Sequence, residues 1–355
     1  MAGKIFAAID IGSFELELGI YEISTGSGIR QVDHVRYALP LGSDTYQTGI
    51  ISYRRVEEMC RILGDFVRIA DGYQADTRRA YATSALREAK NNRIVLDQIR
   101  VRTGLKVKII SNSEQRFLTY KAIAGKDAGF NRMIQKGTAT VDVGFGGMQI
   151  SLFDKDALVS TQNLPLGVMR LRSFLNRVEN ESRGSRTELL AEMVDNELFT
   201  FRKMYLKDRE IKNVIATGNA VLHLARGFAQ EGQGELISAA DFKEFYNRLS
   251  AMSRGQKEDA FGVSTEYASL LVPSAAIYQR VMELTGAETL WIPGVTLLDG
   301  MAAEYGEETK LVKFKHDFSG DIIASARNMA KRYKCHIPHI QALEEHALGN
   351  FDAMK

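Results

Sequence analysis

The sequence predicts an α/β protein of two duplicated halves, with mixed sheets flanking a cleft and a short helical tail at the end. Three observations carry that expectation. Ala7–Tyr21 (AAIDIGSFELELGIY) and Ala139–Phe153 (ATVDVGFGGMQISLF) repeat one pattern: an apolar run ending in Asp, one residue, Gly, a short turn, then an alternating strand. Each copy leads into alternating strand-like and helix-like segments, which stack helices on sheets. At 355 residues the chain is also long enough for two cores.

In the first half, a strand runs from about Ile5 to Asp10. The next alternates, with Leu16, Leu18 and Ile20 on one face and Glu15, Glu17 and Gly19 on the other. Ser24–Gly28 reads as a hairpin loop before a third strand, Ile29–Tyr37. Val56, Met59, Cys60, Leu63, Phe66, Val67 and Ile69 fall at helical spacing and predict a helix over Tyr53–Ala70. Arg79–Thr83 is then a strand, Ile94–Thr103 a helix and Leu105–Ile110 a strand. Ser113 is expected to cap a helix through Ile123. In the second half, Ala157–Leu164 is the third strand and Glu188–Met204 a long helix. Lys212–Ala216 is a strand, Ser238–Ser250 and Glu266–Leu284 are helices, Glu288–Ile292 is a strand, and Gly294–Tyr305 opens a helix. Hairpins within this alternation require mixed sheets. The expected units are 1–125, 126–306 and a helical tail, 307–355, with Asp321–Tyr333 and Ile337–Met354 as its helices. Helices at the end of the second half are expected to cross back to the first.

Composition narrows the function. Hydrophobic residues are 45% and charged residues 25%, which excludes collagen-like, disordered and disulfide-stapled chains. Lys+Arg 46 against Asp+Glu 44 leaves a net charge of +2, too little to draw nucleic acid or an anionic membrane. Any anion site must be local. Cys60 and Cys335 are far apart, and Cys335-His336 with His339 reads as a surface helix junction rather than a metal site. No apolar run approaches the roughly 20 residues of a membrane span, and no signal sequence is visible, so the cytoplasm is the expected location. His34, His223 and His346 are isolated, and Trp291 ends an apolar strand; packing or surface roles suit them.

The chemistry concentrates in the repeated turns, Asp10-Ile-Gly12-Ser13 and Asp142-Val-Gly144-Phe145-Gly146-Gly147. A tight turn lacking bulky side chains presents backbone N–H groups to phosphate oxygens. An Asp at each strand end can orient a metal-bound water. The paired turns resemble the two phosphate loops of the superfamily containing actin, the heat-shock chaperone ATPases and the sugar kinases. The closer resemblance is to the exopolyphosphatase and guanosine-pentaphosphate phosphohydrolase (Ppx/GppA) family. Tyr81–Asn91 (YATSALREAKN) is similar to its A-T-x-x-L-R-x-A-x-N segment, Ile109–Gln115 (IISNSEQ) to I-I-S-G-x-E-E, and Leu164–Leu171 (LPLGVMRL) to L-P-x-G-x-x-R-L. Ile215-Ala-Thr-Gly218-Asn219 resembles its later Gly-rich turn, and Asp321–Arg327 resembles the start of the helical domain of longer members.

The resemblance implies two actin-like (ribonuclease H-like) domains with polyphosphate or a guanosine nucleotide in the cleft. It also implies Mg2+ or another divalent cation, and it leaves a homodimer open. It places Arg87 as the phosphate-gripping arginine. Phosphate would lie against Gly12, Ser13, Phe14, Gly144, Phe145, Gly146, Gly147 and Gly218, with metal at Asp10, Asp142 and Gln149. The departures are equally specific. The family's catalytic Glu is Gln115 here, which can hold water but cannot take its proton. Gln149 replaces the acid that ends the second loop. Phe145 replaces a glycine and is expected to narrow the cradle; Phe14 and Glu15 replace Asn and Ser in the first loop. Glu114 precedes Gln115 but points about 100° away on a helix. Glu15 is the nearest carboxylate that could take over as base. Three functions follow: a phosphohydrolase of polyphosphate or guanosine pentaphosphate, a degenerate phosphate- or nucleotide-binding sensor, or an ATPase or kinase using Thr217-Gly218-Asn219.

Overall fold

The computed structural model describes residues 3–126, 129–178, 186–206, 209–230 and 235–354. The first half runs β1 (Lys4–Ile11), β2 (Glu15–Ser24), β3 (Gly28–Ala38), α1 (Leu41–Thr48), α2 (Tyr53–Gly72), β4 (Thr77–Ala82), α3 (Ser84–Glu88), α4 (Asn92–Thr103), β5 (Val107–Ile109), α5 (Asn112–Lys126) and α6 (Gly129–Met133). The second runs β6 (Thr138–Val143), β7 (Met148–Asp154), β8 (Ala157–Leu164), α7 (Val168–Val178), α8 (Arg186–Phe201, ending in a π-turn), β9 (Asn213–Thr217), α9 (Asn219–Gln230), β10 (Leu236–Ser238), α10 (Ala239–Ala251), α11 (Arg254–Phe261), α12 (Thr265–Thr285), β11 (Thr289–Trp291) and α13 (Leu297–Glu308). The tail holds α14 (Phe318–Arg332) and α15 (Ile337–Ala353).

The strand orders show the duplication. One sheet is β3-β2-β1-β4-β5 and the other β10-β11-β9-β6-β7-β8. In each, the repeat supplies an antiparallel three-strand meander, and the central strand then pairs in parallel with a later one: β1 with β4, β6 with β9. The sheets are mixed because hairpins and helix crossovers alternate along the chain. Register matches as well. Asp10 pairs with Glu17 as Asp142 pairs with Gln149.

Both faces of β1 and β2 are covered, so the expected polar face of β2 is buried too: Glu15 and Glu17 are each 1% exposed. One face packs on α2 and α4 through Ile9, Leu18, Leu63 and Ile99. The other packs on α13, where Phe6 stacks on Tyr305 with ring centroids 4.6 Å apart. The last helix before the tail thus belongs to the core of the first sheet.

Two local expectations change. Ser111, not Ser113, caps α5. Its Oγ accepts from the Glu114 N–H at 3.2 Å, and its own N–H donates to Glu114 Oε2 at 2.8 Å. That reciprocal pair is a capping box, with Glu three residues after the cap. The strand expected over Leu105–Ile110 pairs only over Val107–Ile109. In the tail, α14 lies against β8 with Phe318 and Asp321 buried, whereas α15 buries no residue.

Gly300 sets the closeness of α13 to α5. A Cβ there would lie 2.3 Å from the Leu118 carbonyl oxygen. Helix propensity alone would favour Ala by about 1 kcal/mol. Because backbone cannot yield as a side chain does, Gly300→Ala should instead cost about 1–3 kcal/mol, read as a lower urea midpoint. An unchanged or higher midpoint would contradict this packing.

Candidate active site

The two repeated turns are built alike. The Gly12 N–H donates to Glu15 O and the Gly144 N–H to Gly147 O, each at 2.9 Å. Their carbonyls are tied back into the scaffold. Ser13 O accepts from Gly42 N–H at 2.7 Å, Phe14 O from Leu39 at 2.8 Å and Phe145 O from Met169 at 2.9 Å. Arg170 Nε donates to Gly146 O at 2.6 Å. With these carbonyl dipoles held by the scaffold, the turns suit an anion better than a cation.

Between the halves lies a cavity of about 470 Å3. Gly12, Ser13, Gly144, Phe145, Gly146, Gly147, Gly218, Arg87, Gln115, Asp10, Asp142 and Gln149 all line it, as do Thr83, Ser84, Asn112 and Asn219. Arg87 is fixed by two donated bonds, Nη1 to Ile110 O at 2.6 Å and Nη2 to Asn112 Oδ1. Three of its five N–H groups remain for a ligand. Burial lowers its pKa, because the charged guanidinium loses part of its water. Gln115 Nε2 approaches Asp142 Oδ2 at 3.5 Å.

The acidic groups are electrostatically burdened. Asp10 is held well above the ordinary carboxylate range, first by burial and then by Glu17, Glu15 and Asp142. Burial raises Asp142 to about 6, against the lowering effects of Gln115 and Arg116. Asp10 Oδ1, Gln149 Oε1 and Thr217 Oγ1 are buried and accept or donate no hydrogen bond. Hard oxygen donors left unmatched beside two carboxylates fit a divalent cation. Among the described residues no group of three His, Cys, Asp or Glu is placed to hold a metal ion by itself. The set therefore suits Mg2+, which takes one or two carboxylates and completes its shell with water and phosphate.

Three candidates lie elsewhere. Phe14 is fully buried and packs on Phe145 and Tyr267, at 4.9 and 5.0 Å between ring centroids. That contact also corrects the expected narrowing by Phe145: its ring, 6% exposed, turns into the core, and its φ is not positive. Glu15 does not line the cavity. Its Oε2 lies 2.7 Å from Arg36 Nε, whose single N–H donates to Glu17 Oε1 at 2.7 Å. Glu114 caps α5 and pairs with Lys108 Nζ at 2.6 Å, which holds its pKa down at about 2.

Tyr46 and Arg116 carried no sequence signal, whereas Arg170 is the arginine of the L-P-x-G-x-x-R-L segment. Tyr46 Oη meets Ser13 Oγ at 2.7 Å and Ser84 Oγ at 3.0 Å, two residues that line the cleft. A Cβ on Gly146 would sit 1.7 Å from that hydroxyl. Arg170 stacks on the Tyr46 ring at 3.9 Å and donates to Glu88 Oε2 at 2.6 Å, linking the halves. Arg116, 6% exposed, donates to Asn163 Oδ1 at 2.9 Å.

A duplicated α/β fold with paired Asp-x-Gly turns on one interdomain cavity defines an actin-like phosphate-handling protein. The chain belongs to the Ppx/GppA phosphatase family, which it matches over residues 20–306. Exopolyphosphatase 1 of Mycobacterium leprae is 25% identical over 303 residues, 82% of this chain and 87% of that protein. A solved Ppx/GppA family member of Aquifex aeolicus aligns with a TM-score of 0.69 and 19% identity, covering 86% of this chain and 99% of that one. An exopolyphosphatase from Cytophaga hutchinsonii aligns at 0.73 and 18%, covering 87% and 99%. These two share the fold.

Glu15 generates a pH prediction. Its pKa is raised from 4.5 to about 8 by burial and by Glu17. A carboxyl raised on folding stabilises fully below its unfolded pKa and loses that contribution as pH rises through the folded one. Glu15→Gln should therefore leave the melting temperature nearly unchanged below about pH 5 and raise it by several degrees above pH 8. Equal shifts at both ends would show that Glu15 is ionised throughout.

Proposed function

We propose that the chain is a phosphohydrolase that removes the terminal phosphoryl group of polyphosphate in the interdomain cleft. The observation that carries this reading is the convergence of Arg87, both Asp-x-Gly turns, Asp10 and Asp142 on a single cavity. Asp10, Asp142 and the Gln149 carbonyl would hold Mg2+, which when bound neutralises charge on the phosphoryl oxygens. Arg87, oriented by Ile110 and Asn112, would grip the terminal phosphate. The N–H groups of the two turns would hold the phosphate chain. Gln115 would orient the attacking water without taking its proton.

Phosphoryl transfer passes through a loose transition state, in which positioning and charge stabilisation outweigh proton removal. Turnover without a glutamate at position 115 is therefore expected, but slower by on the order of 10²–10⁴ than with a general base. A guanosine nucleotide suits the cavity less well. Its aromatic lining residue, Phe145, turns its ring into the core, and Trp291 is 5% exposed with Nε1 3.4 Å from Glu235. The cavity is lined within one chain, so the reading does not call on a homodimer. The place of action we infer is the cytoplasm, in keeping with the unpaired thiols of Cys60 and Cys335. Among the described residues no helix is long and apolar enough to cross a membrane.

A second reading, a phosphate-binding sensor, is favoured by amides standing at both Gln115 and Gln149. Phosphate release from long-chain polyphosphate with Mg2+ separates the two. The hydrolase reading predicts measurable release, a loss of about 100-fold in Arg87→Ala and a gain of at least about tenfold in Gln115→Glu. No release from wild type or Gln115→Glu, with tight polyphosphate binding by both, would establish the sensor.

A further inference from the structure

A second pocket opens outside the cleft, between β3 of the first half and α9 and α12 of the second. It has a volume of about 310 Å3 and is lined by His34, Arg36, His223, Arg226, Ser264 and Tyr267, with Gly262 and Val263 beside them. We propose that this pocket binds a phosphoryl dianion, either inorganic phosphate or the phosphate of a small ester. The proposal does not rest on the reading of the cleft.

The first support is the start of α12. Ser264, its N-cap, makes no side-chain capping bond, so a 21-residue helix opens on the pocket with its first amides uncapped. Such an end carries unmatched N–H groups and the positive pole of the helix. The acid of that turn, Glu266, acts on Arg172 of α7.

An independent support is His223. It is 6% exposed, lines the pocket, and neither ring nitrogen has a hydrogen-bond partner. Buried polar groups are almost always matched, so a doubly unmatched imidazole calls for a partner, which a bound anion would supply. Burial, then Arg36 and Arg226, push its pKa down to about 4. The ring is therefore neutral and offers one N–H in a field made positive by two guanidinium groups.

The two carboxylates beneath offset that field only in part: Glu17, ionised, balances Arg36 and leaves Arg226 uncompensated. Glu17 is fully engaged: it accepts from Arg36 Nε at 2.7 Å and from Asn219 Nδ2, and lies 3.1 Å from His34 Nε2. Glu15, raised to about 8, is protonated at neutral pH. The bond of Arg36 to Glu17 and its approach to Glu15 both run through Nε, which leaves its terminal fork for phosphate oxygens. Arg226 is exposed at the rim and adds a second cation.

Calorimetric titration of the full chain with inorganic phosphate tests the proposal. Arg226→Gln should lose one binding site or weaken it about tenfold or more, and His223→Leu should do the same. Arg87→Ala, which alters the cleft, should keep that site. If the cleft also takes phosphate, wild type binds two and each variant loses a different one. If the cleft takes none, wild type binds one, lost in Arg226→Gln and kept in Arg87→Ala. The proposal fails if wild type binds no phosphate, or if every site it has survives in Arg226→Gln. The exposed position of Arg226 keeps the test usable should His223→Leu fail to fold.

Discussion

Burying Asp10 and Asp142 at the ends of two central strands is the constraint that the rest of the cleft answers. Each carboxylate loses its water, and Asp142 adds its own charge to the burden on Asp10. A pair of this kind persists only where protons, cations or donors compensate. Gln115 and Arg116 lower the pKa of Asp142, yet it remains raised. On the proposed reading, that residual negative charge would make the anion-binding cleft depend on a cation. The same residues that would cradle phosphate would repel it without one.

The duplication explains how the two halves came to differ. Glu17 and Gln149 occupy equivalent register positions opposite their aspartates. In the second half the amide keeps the local charge at one carboxylate. In the first half the glutamate adds a second, and the sheet answers with Arg36 and His34 on the neighbouring strand. Glu17 thereby joins two regions. Asn219 lines the cleft and donates to Glu17, whose other partners line the second pocket. Meanwhile Tyr46 and Arg170 pin the two turns across the halves, so the cavity is held in shape by contacts that reach neither carboxylate.

Much of this was legible in the sequence. The repeat located both turns, both aspartates and the mixed sheets, because a buried strand ending in Asp-x-Gly is a local pattern. Arg87, Gln115 and Gln149 were found by resemblance of short segments, and all three line the cavity. What failed was direction. Phe14 and Glu15 sit in the right turn but face the core, since the turn fixes the backbone and tertiary packing decides where each side chain goes. The place of Glu114 follows from the cap: Ser111, not Ser113, starts the helix, and Glu114 is committed to that helix end. Tyr46, Ser84 and Arg116 were invisible because their roles depend on partners far along the chain. His223 looked isolated for the same reason, its surroundings being assembled from both halves.

Thermal melts with and without Mg2+, in wild type and Asp142→Asn, test the central claim most directly. A carboxyl raised to about 6 on folding withdraws stability as pH rises through that value. Wild type should therefore melt lower above that pH than below it, and Mg2+ should restore the difference. Asp142→Asn should show a smaller decline and a weaker response to Mg2+. An equal Mg2+ response in both proteins would mean that the paired aspartates do not create the cation site.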